Sequence, residues 1–75
     1  MYAILISEHA RQRARERGMP QPELLRAVRA AQQTGDGIYR SQHGQVVVER
    51  AIAKTVLAPN MQASNAHLFE YSVKS

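Results

Sequence analysis

The chain has 75 residues, which predicts one domain over residues 1–75 with a small hydrophobic core. It has no cysteine and only three scattered histidines, so we expect neither a disulfide nor a structural zinc site. Ten Lys and Arg residues against six Asp and Glu residues give a net charge of +4 and a pI of about 10.1, which favours nucleic acid as a partner and argues against an acidic DNA mimic.

The first predicted element is a short strand over Tyr2–Ile6, which is rich in β-branched and aromatic side chains. This run is much shorter than the ~20 apolar residues of a membrane span, and it lacks the charged flank of a signal peptide. Together with the absence of cysteine, it predicts a cytoplasmic protein with no membrane association and no cofactor. Ser7 follows the strand and is a good N-cap for a helix.

Two helices are predicted next. The first covers residues 8–17, and Gly18 follows it at the C′ position, where glycine is favoured. The connection Gly18–Gln21 is short, and Pro22 can serve as the first residue of the second helix. Thr34–Gly37 ends this helix. Its apolar residues recur at helical spacing, with two arginines on the far side: Leu24, Leu25, Val28 and Ala31, against Arg26 and Arg29.

The second half of the chain is predicted to form strands. Ile38–Ser41 and Gln45–Arg50 flank His43-Gly44, which has the composition of a hairpin loop. A further strand, Ala53–Ala58, ends at a proline. No turn-forming residue separates Gln45–Arg50 from Ala53–Ala58, so one long bent strand over both segments is an alternative.

Alternating residues near the end of the chain predict a half-buried last strand with Phe69, Tyr71 and Val73 on one face. The predicted order is β-αα-βββ(β). This order indicates an α+β fold in which a helical hairpin packs on a small antiparallel sheet.

The first helix carries most of the chemistry. At about 100° per residue, His9, Arg13, Glu16 and Arg17 share one face, whereas Arg11 and Arg15 point to the other side. Ala10 and Ala14 are the apolar residues of its interior. The helix must therefore contact the sheet through small side chains, with the histidine and its neighbouring arginines close to the contact.

A His/Arg face has the groups that RNA cleavage without a metal requires. A base must remove the ribose 2′ proton, an acid must protonate the leaving oxygen, and cations must stabilise the charge on phosphorus. We predict His9 as the acid or base and Arg13 and Arg17 as phosphate contacts, with Lys54 as a further cation. Additional nucleic-acid contacts are predicted at Arg11, Arg15, Arg40 and Tyr39, where Tyr39 would stack on a base or pass a proton.

A structural interpretation of these residues remains open. Arg13 and Glu16 are three residues apart and can form a surface ion pair. His43 lies beside a turn glycine and His67 begins a strand, so both are expected to be structural. The aromatic residues Tyr39, Phe69 and Tyr71 are expected to pack in the core or across strands.

The segment Ser7-x-His9-Ala10-x-x-Arg13-x-x-Glu16-Arg17-Gly18-Met19 resembles the opening motif of the DUF4258 family. The match covers about residues 6–25, and two later segments look like strands of that family: Gln45–Val48 and Lys54–Leu57. Members look like small toxins of the RelE-like ribonuclease superfamily. The resemblance implies a helical hairpin on an antiparallel sheet and either a metal-independent endoribonuclease activity or a degenerate descendant of it. The predicted partners are RNA and an antitoxin or host protein.

Two other functions remain open. The chain could be a non-enzymatic binding module, such as a small phage or mobile-element protein that inhibits or regulates a host complex through its basic helix. The two helices could also form a helix-turn-helix, but no cluster of base-reading side chains begins the second helix. The small core is consistent with a homodimer or a bound partner.

Overall fold

The computed structural model describes residues 3–61 and 68–73. It confirms the α+β class, with two helices packed on a sheet. The elements are, in chain order, β1 (Leu5–Ile6), α1 (Glu8–Glu16), α2 (Gln21–Thr34), β2 (Gly37–Ser41), β3 (Gly44–Glu49), β4 (Ile52–Leu57) and β5 (Glu70–Ser72).

The five strands form one mixed sheet in the order β1-β4-β3-β2-β5. The three central strands pair antiparallel as β2-β3-β4, as the sequence predicts. Both edge strands are parallel to their neighbours: β1 pairs with β4, and β5 pairs with β2. The antiparallel pairing is thus limited to the centre of the sheet.

Helix α1 begins at the predicted residue and ends one residue before the predicted end, with Arg17 as its C-cap. The Ser7 hydroxyl accepts a hydrogen bond from the Ala10 N–H at 3.0 Å, which is the N-cap contact. At the other end, Gly18 has φ 74° and follows the C-cap residue. The Met19 and Gly18 N–H groups donate to the carbonyls of Ala14 and Arg15, which completes a Schellman motif.

Ser7 also joins α1 to the sheet, because its hydroxyl donates to Ala53 O at 3.0 Å on β4. We expect Ser7→Ala to lower the free energy of unfolding by about 1–2 kcal/mol in urea titrations, since it removes the cap and this link together. Ser7→Gly tests which contact matters. A glycine costs only a few tenths of a kcal/mol at a simple N-cap, so equal losses for Gly and Ala would assign the effect to the link with β4.

The helices cover one face of the sheet. Helix α1 packs on β4 through Ala10 and Ala14, and α2 packs on β2 and β3. The buried residues of α2 include Leu24, Ala27 and Val28, which meet Val46, Val48 and Val56 of the sheet in one cluster.

A tight turn separates β3 from β4, which excludes the alternative of one long bent strand. Its central residues, Arg50 and Ala51, have φ values of 58° and 62°. Two positive φ values are typical of a type I′ hairpin turn, which usually contains Asn or Gly. Here the Asp36 carboxylate accepts hydrogen bonds from the N–H groups of Arg50 at 2.8 Å and Ala51 at 3.2 Å. A side chain distant in sequence therefore holds a turn that the local sequence does not indicate.

The last strand is partly as predicted. Tyr71 and Val73 are partly buried and pack against the core. Phe69, by contrast, is 76% exposed, so its predicted packing role is wrong. It lies just before β5 begins and contributes its backbone, because Phe69 O accepts a hydrogen bond from the Ile38 N–H.

Candidate functional site

The structure keeps His9, Arg13, Glu16 and Arg17 on one side of α1, with Arg13 at the centre. The Arg13 Nη1 group donates to Glu16 Oε1 at 2.6 Å. Its Nε donates to His9 Nε2 at 3.5 Å, the outer limit of a hydrogen bond. His9 is exposed, and within the described residues no carboxylate bonds to its ring. Glu16 thus has the ion-pairing role expected from its spacing.

Arg17 is fixed more firmly than Arg13. It is half-buried, and its Nε donates to the carbonyl of Val56 on β4 at 3.0 Å. Helix α1 therefore runs beside β4, with Ser7 bonded to Ala53 near its beginning and Arg17 bonded to Val56 at its end. Among the described residues, Arg17 makes a side-chain hydrogen bond only through Nε, so this contact orients the guanidinium and leaves its outer nitrogens for an anion.

Lys54, predicted as a further cation, is exposed on β4. The register between β3 and β4 shifts at Val47/Val48, which leaves Lys54 as the extra residue of a β-bulge. Its Nζ lies 3.0 Å from Glu49 Oε1 at the end of β3. The structure thus pairs the Lys54 ammonium with a carboxylate of the hairpin and not with a side chain of the helix face.

Arg11 and Arg15 are exposed on the other side of α1, as their spacing predicts. They border a cleft of about 140 Å³ between the two helices. The cleft has an apolar floor, and Leu25, which is 43% exposed, lies at its edge. These two arginines therefore belong to a surface separate from that of His9.

The sheet residues predicted to contact nucleic acid differ from each other in exposure. Arg40 is exposed and forms an ion pair with Glu70 at 3.2 Å, across β2 and β5. Tyr39 is only 1% exposed, and its ring stacks on Tyr71 with the centroids 5.2 Å apart. Its hydroxyl donates to the carbonyl of Gly35. Tyr39 is therefore a core residue, and the prediction that it stacks on a base is corrected because its ring is covered by protein.

One cluster was missed by the sequence analysis. The Glu23 side chain is only 7% exposed, and its Oε2 lies 2.7 Å from His43 Nδ1. The Ser41 hydroxyl donates to the same oxygen at 3.2 Å. Glu23 precedes Ala27 by four residues on the buried face of α2, and a carboxylate on an apolar face is the signal that could have indicated this cluster.

Residues 3–61 and 68–73 contain neither a membrane-spanning helix nor a metal-binding cluster. Neither helix in these ranges is long and apolar enough to cross a bilayer. No group of three His, Cys, Asp or Glu side chains that could hold a metal ion occurs in the same part of the chain. His67, predicted to be structural, lies outside the described residues.

Comparison with known proteins identifies no relative of this chain. No protein-family model, no curated protein and no solved structure matches it. The resemblance to the DUF4258 family therefore stays a prediction that depends on the motif in α1 and on the order of the elements.

Proposed function

We propose that this protein acts on RNA in the manner of a RelE-like toxin, cleaving the chain without a metal ion. The observation that supports this proposal best is the side of α1 on which Arg13, Arg17 and His9 lie together. Arg17 is held against β4, and Arg13 is oriented by its surface ion pair with Glu16. Two oriented cations in a row suit successive phosphates of a single strand.

In the proposed chemistry, the ribose 2′ oxygen loses its proton and bonds to phosphorus. The bond from phosphorus to the 5′ oxygen breaks, and this oxygen takes up a proton, which leaves a 2′,3′-cyclic phosphate and a 5′ hydroxyl. Arg13 and Arg17 would stabilise the charge that develops on the non-bridging oxygens. His9 remains the predicted acid or base, since histidine exchanges protons near neutral pH. Arg11, Arg15 and Arg40 would add contacts that depend on charge alone.

The test uses two double variants of one helix. Arg13→Gln with Arg17→Gln removes the proposed contacts, and Arg11→Gln with Arg15→Gln is the control with the same loss of charge and similar helix propensity. We expect the first pair to lower RNA cleavage in EDTA at least tenfold, and the control pair to lower it less than threefold. The salt dependence of single-strand binding should also fall by about 0.7 per phosphate contact removed.

Several outcomes would contradict these assignments. Equal losses in the two double variants would show that net charge, and not the His9 side of α1, binds RNA. Wild-type protein that neither binds nor cleaves RNA would overturn the proposal itself. Equal cleavage by wild type and His9→Ala would remove His9 as the acid or base and leave the rest in place.

A second function is favoured by the cleft between the helices. Its apolar floor and its two arginines suit a protein segment that presents an aliphatic side chain beside a carboxylate, as an acidic antitoxin or a host protein would. In this case the chain is a non-enzymatic binding module. Capture of one stoichiometric partner, lost in Leu25→Glu, together with no growth defect on expression of the chain alone, would support this function over a toxin.

A further inference from the structure

Phe69 is the most exposed large apolar side chain among the described residues. It is the only phenylalanine of the chain, and its exposed fraction is 76%. Side chains alternate along a strand, so Phe69 lies on the same face of the sheet as Tyr71, whose ring stacks on Tyr39. A single exposed apolar residue is ordinary on a protein surface. Its neighbours therefore decide whether this ring can bind a ligand.

The outward face of α2 carries two arginines that have no carboxylate partner. Arg26 and Arg29 are exposed and three residues apart, which places them side by side on the helix. Within the described part of the chain, neither forms an ion pair or a side-chain hydrogen bond. The carboxylate nearest to them in the sequence, Glu23, is buried and contacts His43. Two positive charges thus remain without compensation on this face.

The directions of the elements bring α2 beside the edge strand β5. Glu23, near the start of α2, accepts a hydrogen bond from Ser41 at the end of β2, so the helix and this strand are antiparallel. The strand β5 is parallel to β2 and lies at the edge of the sheet. The helix therefore passes Val73 first and reaches the level of Phe69 near its end.

A hollow of about 240 Å³ lies between α2 and the end of β5, where Val73 faces the helix. The carboxylate of β5, Glu70, alternates to the opposite face of the sheet and pairs there with Arg40. The hollow and the exposed ring thus form one surface with two cations and with no carboxylate among the described residues. We call it the α2–β5 surface, formed by Arg26, Arg29, Gln33, Phe69 and Val73.

This combination of groups is the one that binds nucleic acid strands without base pairing. Guanidinium groups contact phosphates, and every base has a π face that can stack on an aromatic ring. We propose that the α2–β5 surface binds a single-stranded nucleic acid, with a base stacked on Phe69 and phosphates held by Arg26 and Arg29. The surface lies at the opposite edge of the sheet from the His9 side of α1, so it is a separate site and does not depend on cleavage.

The test uses the position of the ring as its own reporter. The chain has no tryptophan, so Phe69→Trp introduces a single indole, whose fluorescence changes when a base stacks on it. The probes are a short unstructured 2′-O-methyl RNA, which cannot be cleaved through its 2′ oxygen, and a DNA of the same sequence. We expect saturable quenching with at least one probe, and the ratio of the two affinities identifies the sugar that is bound. No quenching with either probe would overturn the proposal.

The phosphate contacts are tested in the same Phe69→Trp protein. Arg26→Gln with Arg29→Gln removes them, and Arg11→Gln with Arg15→Gln removes the same charge from the cleft between the helices. We expect the first pair to weaken the quenching titration at least fivefold and the control pair less than twofold. The salt dependence should fall by about 0.7 for each phosphate contact removed. Equal losses in the two pairs would show that net charge alone binds the probe.

The stacking contact is tested with two further variants of the same residue. Phe69→Leu keeps an apolar side chain without a ring, and Phe69→Tyr keeps the ring. Both are compared by fluorescence anisotropy in protein that carries Arg13→Gln and Arg17→Gln, so that the His9 side of α1 contributes little. We expect Phe69→Leu to lower the affinity at least fivefold and Phe69→Tyr less than twofold. Equal affinities would remove the stacked base from the proposal.

The failure of this inference is distinguishable from that of the proposed function. Cleavage of RNA by wild type, with no quenching in Phe69→Trp, overturns the α2–β5 site and leaves action on RNA standing. Saturable quenching in a protein whose wild type cleaves no RNA supports the site and overturns the cleavage. The substituted side chains are exposed, so each variant should unfold thermally as wild type does, and loss of binding would not reflect loss of the fold.

Discussion

Replacing Tyr39 with alanine is expected to remove a large part of the stability of the domain. Tyr39 is 1% exposed and stacks on Tyr71, so its truncation leaves a cavity between β2, β5 and the helices. Loss of a buried aromatic ring costs about 3–5 kcal/mol. A 75-residue chain has a total stability of about 4–11 kcal/mol. Urea unfolding followed by circular dichroism should therefore show Tyr39→Ala unfolding at a much lower urea concentration than wild type.

Tyr39→Phe is the matched control, because it keeps the ring and removes only the hydroxyl that donates to Gly35 O. We expect a loss of about 1 kcal/mol at neutral pH. If this variant lowered RNA affinity more than twofold while remaining folded, Tyr39 would contact RNA and would not be a core residue alone. An unfolding free energy of Tyr39→Ala within 1 kcal/mol of wild type would contradict the packing argument.

Alkaline pH gives a second measurement at the same position. Burial raises the pKa of Tyr39, and the nearby Tyr71 and Asp36 raise it further, although a hydrogen bond with Thr34 acts in the opposite direction. The folded state therefore holds this proton more tightly than the unfolded state does. The stability is fully present below the ordinary tyrosine pKa of about 10 and is lost as the pH rises through the folded value. Tyr39→Phe should show a smaller decline over this range.

Gly44→Ala is expected to have the second largest effect. The added β-carbon would lie 2.7 Å from the carbonyl oxygen of Leu57, which belongs to the backbone of β4 and cannot move alone. It would also lie 3.1 Å from Met19 Cε. Such overpacking costs about 1–3 kcal/mol, and the shift of the hairpin should also displace His43 from Glu23.

The control for this variant is Gln42→Ala, in the same hairpin but exposed. We expect a change of less than about 0.5 kcal/mol in the unfolding free energy. If Gly44→Ala were as stable as Gln42→Ala, the close approach of β3 and β4 at this residue would not be a constraint. Unchanged NMR chemical shifts of the His43 imidazole in Gly44→Ala would likewise contradict the expected displacement.

The helices could be predicted from the sequence because their signals are local. Ser7, Gly18 and Pro22 mark the ends of two helices through contacts within a few residues, and the structure places the ends within a residue of the prediction. The parallel pairing of β1 with β4 and of β5 with β2 could not be predicted, since each joins residues far apart in the chain. The turn at Arg50 and Ala51 could not be predicted for the same reason, because Asp36 stabilises it from outside the hairpin.

The candidate site divides in the same way. His9, Arg13 and Arg17 share a face by helical periodicity alone, which the sequence displays directly. The contact between Glu23 and His43 depends on how α2 lies over the β2-β3 hairpin, and no spacing in the sequence reports this. Tyr39 was ambiguous because an aromatic residue in a strand suits both packing and base stacking. Only its burial decides between the two.

The two parallel edge strands also have a consequence for the order in which the chain folds. The β2-β3-β4 meander and the helical hairpin each join neighbouring segments, so they close only short loops. By contrast, β1 pairs with residues 52–53 and β5 pairs with residues 38–40, which are distant from them in the chain. β5 can pair only after β2 is in place. We therefore expect the meander and the helices to form the folding nucleus. β1 and β5 should join the sheet last during folding and separate from it first during unfolding.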